Sequence, residues 1–540
     1  MVGFPLKRDM RIFIFGLLLI LAPLITTAQE ISKDNKPAYG GTLIWGERTK
    51  PTIINPILTS YSASASLLDL IFSHLVRLNA KGEIEPDLAE SWDISADGLV
   101  YTFHLRKGVR FHDGKECTAY DVKFTYDKII EPRIKSPFRS SFEIVEEFKA
   151  LDKYTFQVVL KRPSNTFIYR LLREIAPKHL LEKVDLRNCS FNYHPVGSGP
   201  FKFKEWQKDD RISLEYNPDY YEARPYLDRI IVKIYPDSKD VWVALMRSEI
   251  DYGIFLERED YEIMKDDPAF KTYSFPIDYY YAIFYNPDDA LLADKRIREA
   301  ITYGIDRKAL IQRIAGGYGL ECIGPFYPET LGFNPNVQAL EYDPAKSKEL
   351  LTQAGWLDSD GDGILEKNGE ELELRVLVNT RNDTFRRIAM LLRQQMQEIG
   401  MKLKVLLYNN EKELTPGFLE ENKPQAHLKL FLGGIDPDEA KYHWSYKDVR
   451  REDNLWVYKN EEVTKLFELG DIARDEEKRK QIYQQIHKII YEEQPACFLY
   501  FPYDFHAIFA RFQNTDAYFS LNMPTYTIKD WYIQDKIERR

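Results

Sequence analysis

The sequence predicts an α/β protein built from more than one lobe, and three observations carry that reading. At 540 residues the chain exceeds what one hydrophobic core organises. Its 44% hydrophobic content supplies core material and is too high for a disordered chain. Over residues 372–408 a strand pattern, an amphipathic helical pattern and a second strand pattern follow in turn, the alternation of an α/β lobe. A net charge of −10 leaves no basic surplus for phosphates and excludes general nucleic-acid binding. The 35 tyrosines and 8 tryptophans suit an aromatic-lined cleft, although core packing accounts for most of them.

Residues 1–28 read as an export signal. Lys7, Arg8 and Arg11 form a basic start, 12–25 is an apolar run, and Thr26-Thr27-Ala28 supplies small residues for cleavage near Ala28. The run is short for a bilayer span, which needs about 20 apolar residues; a retained anchor is the alternative. No cysteine follows the run, so lipid attachment is not expected. Export to an oxidising compartment makes two disulfides, Cys117–Cys189 and Cys322–Cys497, the simplest pairing, with four buried thiols as the alternative.

Along the chain, 40–46 reads as an opening strand, Pro51 to Pro56 as a proline-punctuated turn, and 64–76 as a helix. Residues 99–105 alternate apolar and polar, with Leu99, Tyr101, Phe103 and Leu105 on one side. A short strand at 109–111 follows. Thr118 then stands as a helix N-cap with Asp121 in the capping-box place. Gly197, Gly199 and Pro200 set a tight turn before a strand at 201–206. Further strands are expected at 230–235, 281–286, 372–378, 403–408, 498–500 and 508–510. Helices are expected at 241–250, 294–305, 384–399 and, as one long element, 472–491. The run Asp358, Asp360, Asp362, Gly363 copies the first half of a calcium loop, but its twelfth position is Gly369; a solvated acidic turn is the favoured reading.

One stretch, 84–127, goes beyond pattern. Pro86, Asp87, Leu88, Ala89, Ser91, Trp92, Asp97, Gly98, Leu105, Arg106, Gly108, Phe111, Asp113, Gly114, Asp121 and Val122 stand where the family 5 extracellular solute-binding proteins place the same residues, and the stretch resembles that family's hairpin. Asn217 to Tyr221, the helix beginning at Asp294 and Tyr342 to Trp356 resemble further family motifs, so the likeness spans roughly 40–512. The resemblance implies a two-lobed periplasmic binding protein fold with an extra subdomain on the first lobe. Lobe I would cover 39–280 with the subdomain at about 73–193, lobe II 281–503, and 504–540 would return to lobe I. Hinges would lie near 281–286 and 502–506.

No zinc-protease, serine-hydrolase, Walker or dinucleotide motif occurs, and the nine histidines are scattered. No enzyme, cofactor or metal is therefore expected. The resemblance implies instead the extracytoplasmic solute-binding component of an ABC import system, located in the periplasm and acting as a monomer. It would capture an oligopeptide or peptide-like solute and deliver it to membrane permease subunits. It also implies ligand contacts at Thr52 and Asn55 and along Phe431, Leu432, Gly433, Gly434, Ile435 and Asp436. Peptide binders of the family hold the ligand as an added strand and take its α-amino group with an aspartate. Here that aspartate falls on Gly433 or Gly434, unless Asp436 serves. A non-peptide solute (sugar or metal chelate) or a ligand sensor stay open as alternatives; an exported hydrolase has no motif behind it.

Overall fold

The computed structural model describes residues 37–59, 63–434, 436–449, 455–519 and 525–534. The expected export signal and Ile435 lie outside these residues. A continuous 12-stranded sheet runs through the molecule. On one side Thr42–Glu47 pairs in parallel with Arg229–Ile234 and Tyr252–Gly253, and the antiparallel strands Arg211–Tyr216 and Phe201–Gln207 extend that edge. On the other side Glu373–Asn379 runs parallel to Lys402–Tyr408 and Ala426–Leu432, and the last of these pairs antiparallel with Tyr279–Tyr285. The strand Ala496–Phe509 joins the two halves, its first part pairing with Tyr279–Tyr285 and its second with Phe270–Pro276 and Tyr252–Gly253.

Each half has its own cores. Lobe I packs Trp45, Phe72, Phe103, Tyr126, Tyr252 and Trp531 together, with a smaller core around Val241, Leu245 and Phe505. Lobe II has one core around Ile283, Leu351, Val376 and Leu392, and another around Tyr280, Phe431, Trp444 and Tyr483. The two-lobed α/β architecture is thus present.

The hairpin of 84–127 supplies an edge strand and its inner neighbour to a four-stranded sheet in lobe I, in the order Ala89–Ile94, Val100–Leu105, Thr155–Leu160, Val145–Ala150. Tyr101, Phe103 and Leu105 are buried and their neighbours are not, as strand alternation requires. The helix Ala119–Ile130 lies across it; Thr118 N–H donates to Asp121 Oδ2 at 2.9 Å, completing the expected capping box. The turn at Gly197–Pro200 presses on the end of the helix Ala63–Ile71, where a Cβ on Gly199 would lie 2.6 Å from the Ile71 carbonyl carbon. His112 pins this turn: Gly197 N–H donates to Nδ1 at 3.2 Å, and Nε2 lies 3.1 Å from the Gly199 carbonyl oxygen. Burial holds that imidazole down at about 4, hence neutral.

Several expectations need correction. The helix expected at 64–76 ends at Ile71, and Val76 is in a strand. Residues 109–111 form only an isolated bridge, Arg110 to Glu116. The long helix expected at 472–491 is present but starts later, as Glu476–Glu493 capped by Asp475 accepting from Lys478 N–H; Ile472 ends a preceding helix, Glu461–Ile472. The strands expected around Pro502 are one, because the proline contributes its carbonyl, which accepts from Ile277 N–H at 3.0 Å. The hinge expected at 281–286 falls inside a strand paired on both edges; the chain crosses between lobes at 276–278 instead. All four cysteines are free thiols: Cys189 turns toward Leu186 and Asn192, and Cys322 toward the Gly324 carbonyl at 3.1 Å.

Candidate ligand-binding cleft

In open α/β sheets, ligands bind beyond the carboxyl ends of parallel strands. In this chain those ends converge. Glu47, Ile234 and Gly253 end the parallel strands of lobe I; Asn379, Tyr408 and Leu432 end those of lobe II. Between them lie the crossing segments 276–278 and 502–504.

The loop after Glu47 carries the first expected contacts. Thr52 is exposed in it. Asn55 is not available: it is fully buried, its Nδ2 donates to Asn192 Oδ1 at 2.8 Å, and its Oδ1 accepts from Ile57 N–H at 3.0 Å. It braces the loop from inside. The loop after Gly253 begins Ile254-Phe255, with Phe255 in the left-handed region at φ +50°, and the Arg48 guanidinium lies 5.1 Å above its ring.

The segment after Leu432 divides differently from expectation. Phe431 is a core residue, wholly buried and stacked on Tyr280 at 5.5 Å, so its ring does not face the cleft. Leu432 is half-buried at the cleft wall. Gly433 donates its N–H to the Asp278 carbonyl at 2.5 Å, and a Cβ there would meet that same oxygen at 2.8 Å. Gly434 has φ +79°, the left-handed region that favours glycine. Both glycines are therefore demanded by the turn itself. Asp436 is not a free ammonium partner: its oxygens take Arg479 Nη2 at 2.6 and 2.8 Å, and it also caps Asp438 N–H at 2.9 Å.

A cavity of about 370 Å³ lies between Phe138, Tyr169 and Arg170 of the subdomain and Leu432, Asp436 and Tyr442 of lobe II. Beside it the lobes are clasped. The Asp471 carboxylate of lobe II accepts from Ser164 Oγ at 2.5 Å, Thr166 Oγ1 at 2.7 Å and Arg162 Nη1 at 2.9 Å, all from lobe I, while Asn165 N–H donates to its carbonyl at 2.7 Å. Burial pushes this carboxyl up, but Lys441 and the three donors outweigh it and hold it below the usual range. Thr166 also reaches Asp438, which is ion-paired with Lys441.

Sequence reading missed the crossover floor. Burial raises the Asp278 carboxyl to about 6 and that of Asp504 to about 7. Tyr281, whose ring packs on Tyr500 and Phe385, lies close enough to feel the Asp504 charge. The only signal in the sequence was an aspartate at the end of each crossing segment.

The acidic run behaves as a turn with convergent carboxylates. Asp358, Asp360, Asp362 and Glu366 each bring one oxygen within 4.8 Å of the others, so Glu366, not residue 369 or 370, completes the group. Asp358 accepts from Gly361 N–H at 2.7 Å and Ser359 Oγ donates to Glu366 at 2.8 Å, bonds that hold the turn.

Comparison with known proteins agrees with this geometry. The profile of the bacterial extracellular solute-binding proteins, family 5 Middle, matches residues 83–452, more than half of the chain. The oligopeptide-binding protein AppA of Bacillus subtilis (strain 168) is 30% identical, with 98% of this chain and 99% of that protein covered. Its structure in complex with a nonapeptide superposes with a TM-score of 0.74 at 29% identity, covering 92% of this chain and 100% of that one. NikZ of Campylobacter jejuni in complex with Ni(L-His) gives a TM-score of 0.77 at 26% identity over 91% and 99%. The convergent strand ends, the paired lobes and these matches lead to one conclusion: the chain belongs to the bacterial extracellular solute-binding proteins of family 5.

Proposed function

We propose that this protein, the extracytoplasmic solute-binding component of an ABC import system, captures peptide-like solutes. The observation that carries the reading is the interlobe cavity, with guanidinium and aromatic groups on its subdomain wall and acidic and aromatic groups on its lobe II wall. A zwitterionic chain of mixed side chains matches such a lining. Relatives whose names and structures specify oligopeptides support it. The mature protein acts as a monomer after cleavage near Ala28, and the closed form docks on permease subunits in the membrane. Binding shifts the open–closed equilibrium by the ligand's preference for the closed form. The likeness to a protein solved with Ni(L-His) favours a metal chelate as the second reading.

A thermal-shift screen decides between them, using mature protein unfolded and refolded to strip bound solute. The panel holds di- to hexapeptides, their N-acetylated forms, oligosaccharides and nickel–histidine. A ligand at 100 times its Kd adds about 2.7 kcal/mol to stability. Stabilisation by peptides is expected; stabilisation by nickel–histidine alone would replace the reading.

A further inference from the structure

The deeply placed carboxylates of this protein are paired almost everywhere. Asp87 has His74 and Tyr221, Asp251 has Arg511, Asp436 has Arg479, and Asp438 has Lys441. Asp278 and Asp504, both half-buried, differ. Neither carboxylate accepts a hydrogen bond from another residue or forms an ion pair among the described residues. Both lie at the crossover: Asp504 is cross-strand from Phe275, and the Asp278 carbonyl holds Gly433. The charge of Asp278 disfavours ionisation of Asp504. Arg48 acts on Asp504 from above Phe255.

A second, independent observation lies on the same strand face. His506, two residues from Asp504, is fully buried; its Nδ1 is 2.8 Å from Tyr252 Oη, while its Nε2 is buried with no hydrogen-bond partner among the described residues. Its ring stacks at 5.2 Å on Phe275, the cross-strand neighbour of Asp504, and packs at 5.7 Å on Phe255. The crossover floor therefore holds two half-buried carboxylates with no protein partner among the described residues, next to the wholly buried His506 and the rings of Phe255 and Phe275. Half-buried carboxylates without a protein partner stay open to a group supplied from outside the chain.

We propose that Asp504 and Asp278 are the cation-recognising groups of the cleft, receiving an ammonium or guanidinium of the bound solute. They take the place that Asp436, engaged with Arg479, cannot fill. The Arg48 guanidinium 5.1 Å above the Phe255 ring shows that this wall accommodates a cation. This inference rests on the peptide reading, and it adds that the solute's positive charge comes from its amino terminus or a basic side chain.

The test uses mature, ligand-stripped protein and calorimetric titration of one tetrapeptide in four forms: free or N-acetylated, each with or without a lysine. Wild type should bind the free peptide about 30-fold or more tighter than the acetylated, lysine-free one, the loss of a hydrogen-bonded charge pair. Asp504→Asn should erase most of that difference while leaving the acetylated, lysine-free peptide unchanged. Without ligand it should melt at or above the wild-type temperature, because an unpaired carboxylate becomes neutral; a purely structural Asp504 would melt lower. Recovery of binding by the acetylated lysine peptide would assign the side chain as the source of charge. Equal binding of all four forms, or an equal loss on all four in Asp504→Asn, would overturn the inference while leaving the peptide reading intact. If no peptide binds wild type, the peptide reading falls, and putrescine and agmatine decide the inference. Binding that Asp504→Asn abolishes sustains it, and no binding overturns it.

Discussion

Replacing Asp471 with alanine separates closure from folding. In the wild type its carboxylate takes three side-chain donors across the lobe boundary, Ser164, Thr166 and Arg162. The two hydroxyl bonds end on a carboxylate with 2% side-chain exposure, whereas the Arg162 side chain is 52% exposed, so its share is screened. Hydrogen bonds to a charged group contribute about 1.5–3 kcal/mol each, and bonds sharing one acceptor are not additive. A loss of about 2–3 kcal/mol from the closed form follows. Since the solute is enclosed only on closure, Kd should rise about 30- to 150-fold. Calorimetry gives Kd, and small-angle scattering gives the radius of gyration with and without ligand. Asp471→Ala should stay extended at ligand concentrations that compact the wild type, with its urea midpoint little changed. An unchanged Kd and unchanged compaction would refute the clasp as a determinant of closure. A large fall in stability without a change in Kd would make it a contact within one folding unit.

Three further outcomes are expected. Burial alone would lower the His74 pKa, but Asp69, Asp87 and Glu174 outweigh it and hold the imidazolium well above the usual histidine range. That stabilisation is complete below about pH 6.5 and fades as pH rises through the folded-state value, at about 1.4 kcal/mol per pH unit of separation. Wild type and His74→Gln should thus differ most at pH 6 and converge in alkaline urea titrations. Asn55→Ala leaves the buried Asn192 amide short of a donor and should lose about 2 kcal/mol in urea denaturation, with affinity of the folded protein within about 3-fold of wild type. Gly199→Ala drives a methyl to 2.6 Å from the Ile71 carbonyl carbon and 2.7 Å from the Leu70 oxygen, backbone atoms that cannot swing aside; about 3 kcal/mol should be lost, read by fluorescence-monitored unfolding.

Much of the fold is legible from local pattern. Val100–Leu105 and Arg229–Ile234 alternate because one face is buried, and Asp294 precedes Lys295–Tyr303 because a helix start needs an acceptor for its free N–H groups. The failures are equally physical. The apolar stripe runs on from Ile472 toward Tyr491, and nothing but the Asp475 cap, with no glycine or proline, marks the break. Pro502 resembles a strand end because its missing N–H is visible in sequence, while the carbonyl it lends to Ile277 is not. The site was less legible still. Whether Asn55, Phe431 and Asp436 face solute depends on Asn192, Tyr280 and Arg479, partners that no local spacing reveals. Conversely, Asp278 and Asp504 stand out by lacking partners among the described residues, which only three dimensions can show.

The strand Ala496–Phe509 sits in the middle of the sheet yet is among the last parts of the chain to be made. A polypeptide exported amino terminus first emerges with Tyr279–Tyr285 and Tyr252–Gly253 each waiting for that neighbour, their edges open to wrong pairings. Neither lobe can seal early and shelter the other. Completion of both sheets is one late, shared event, so a chain cut short before Ala496 would lose a strand that both lobes share.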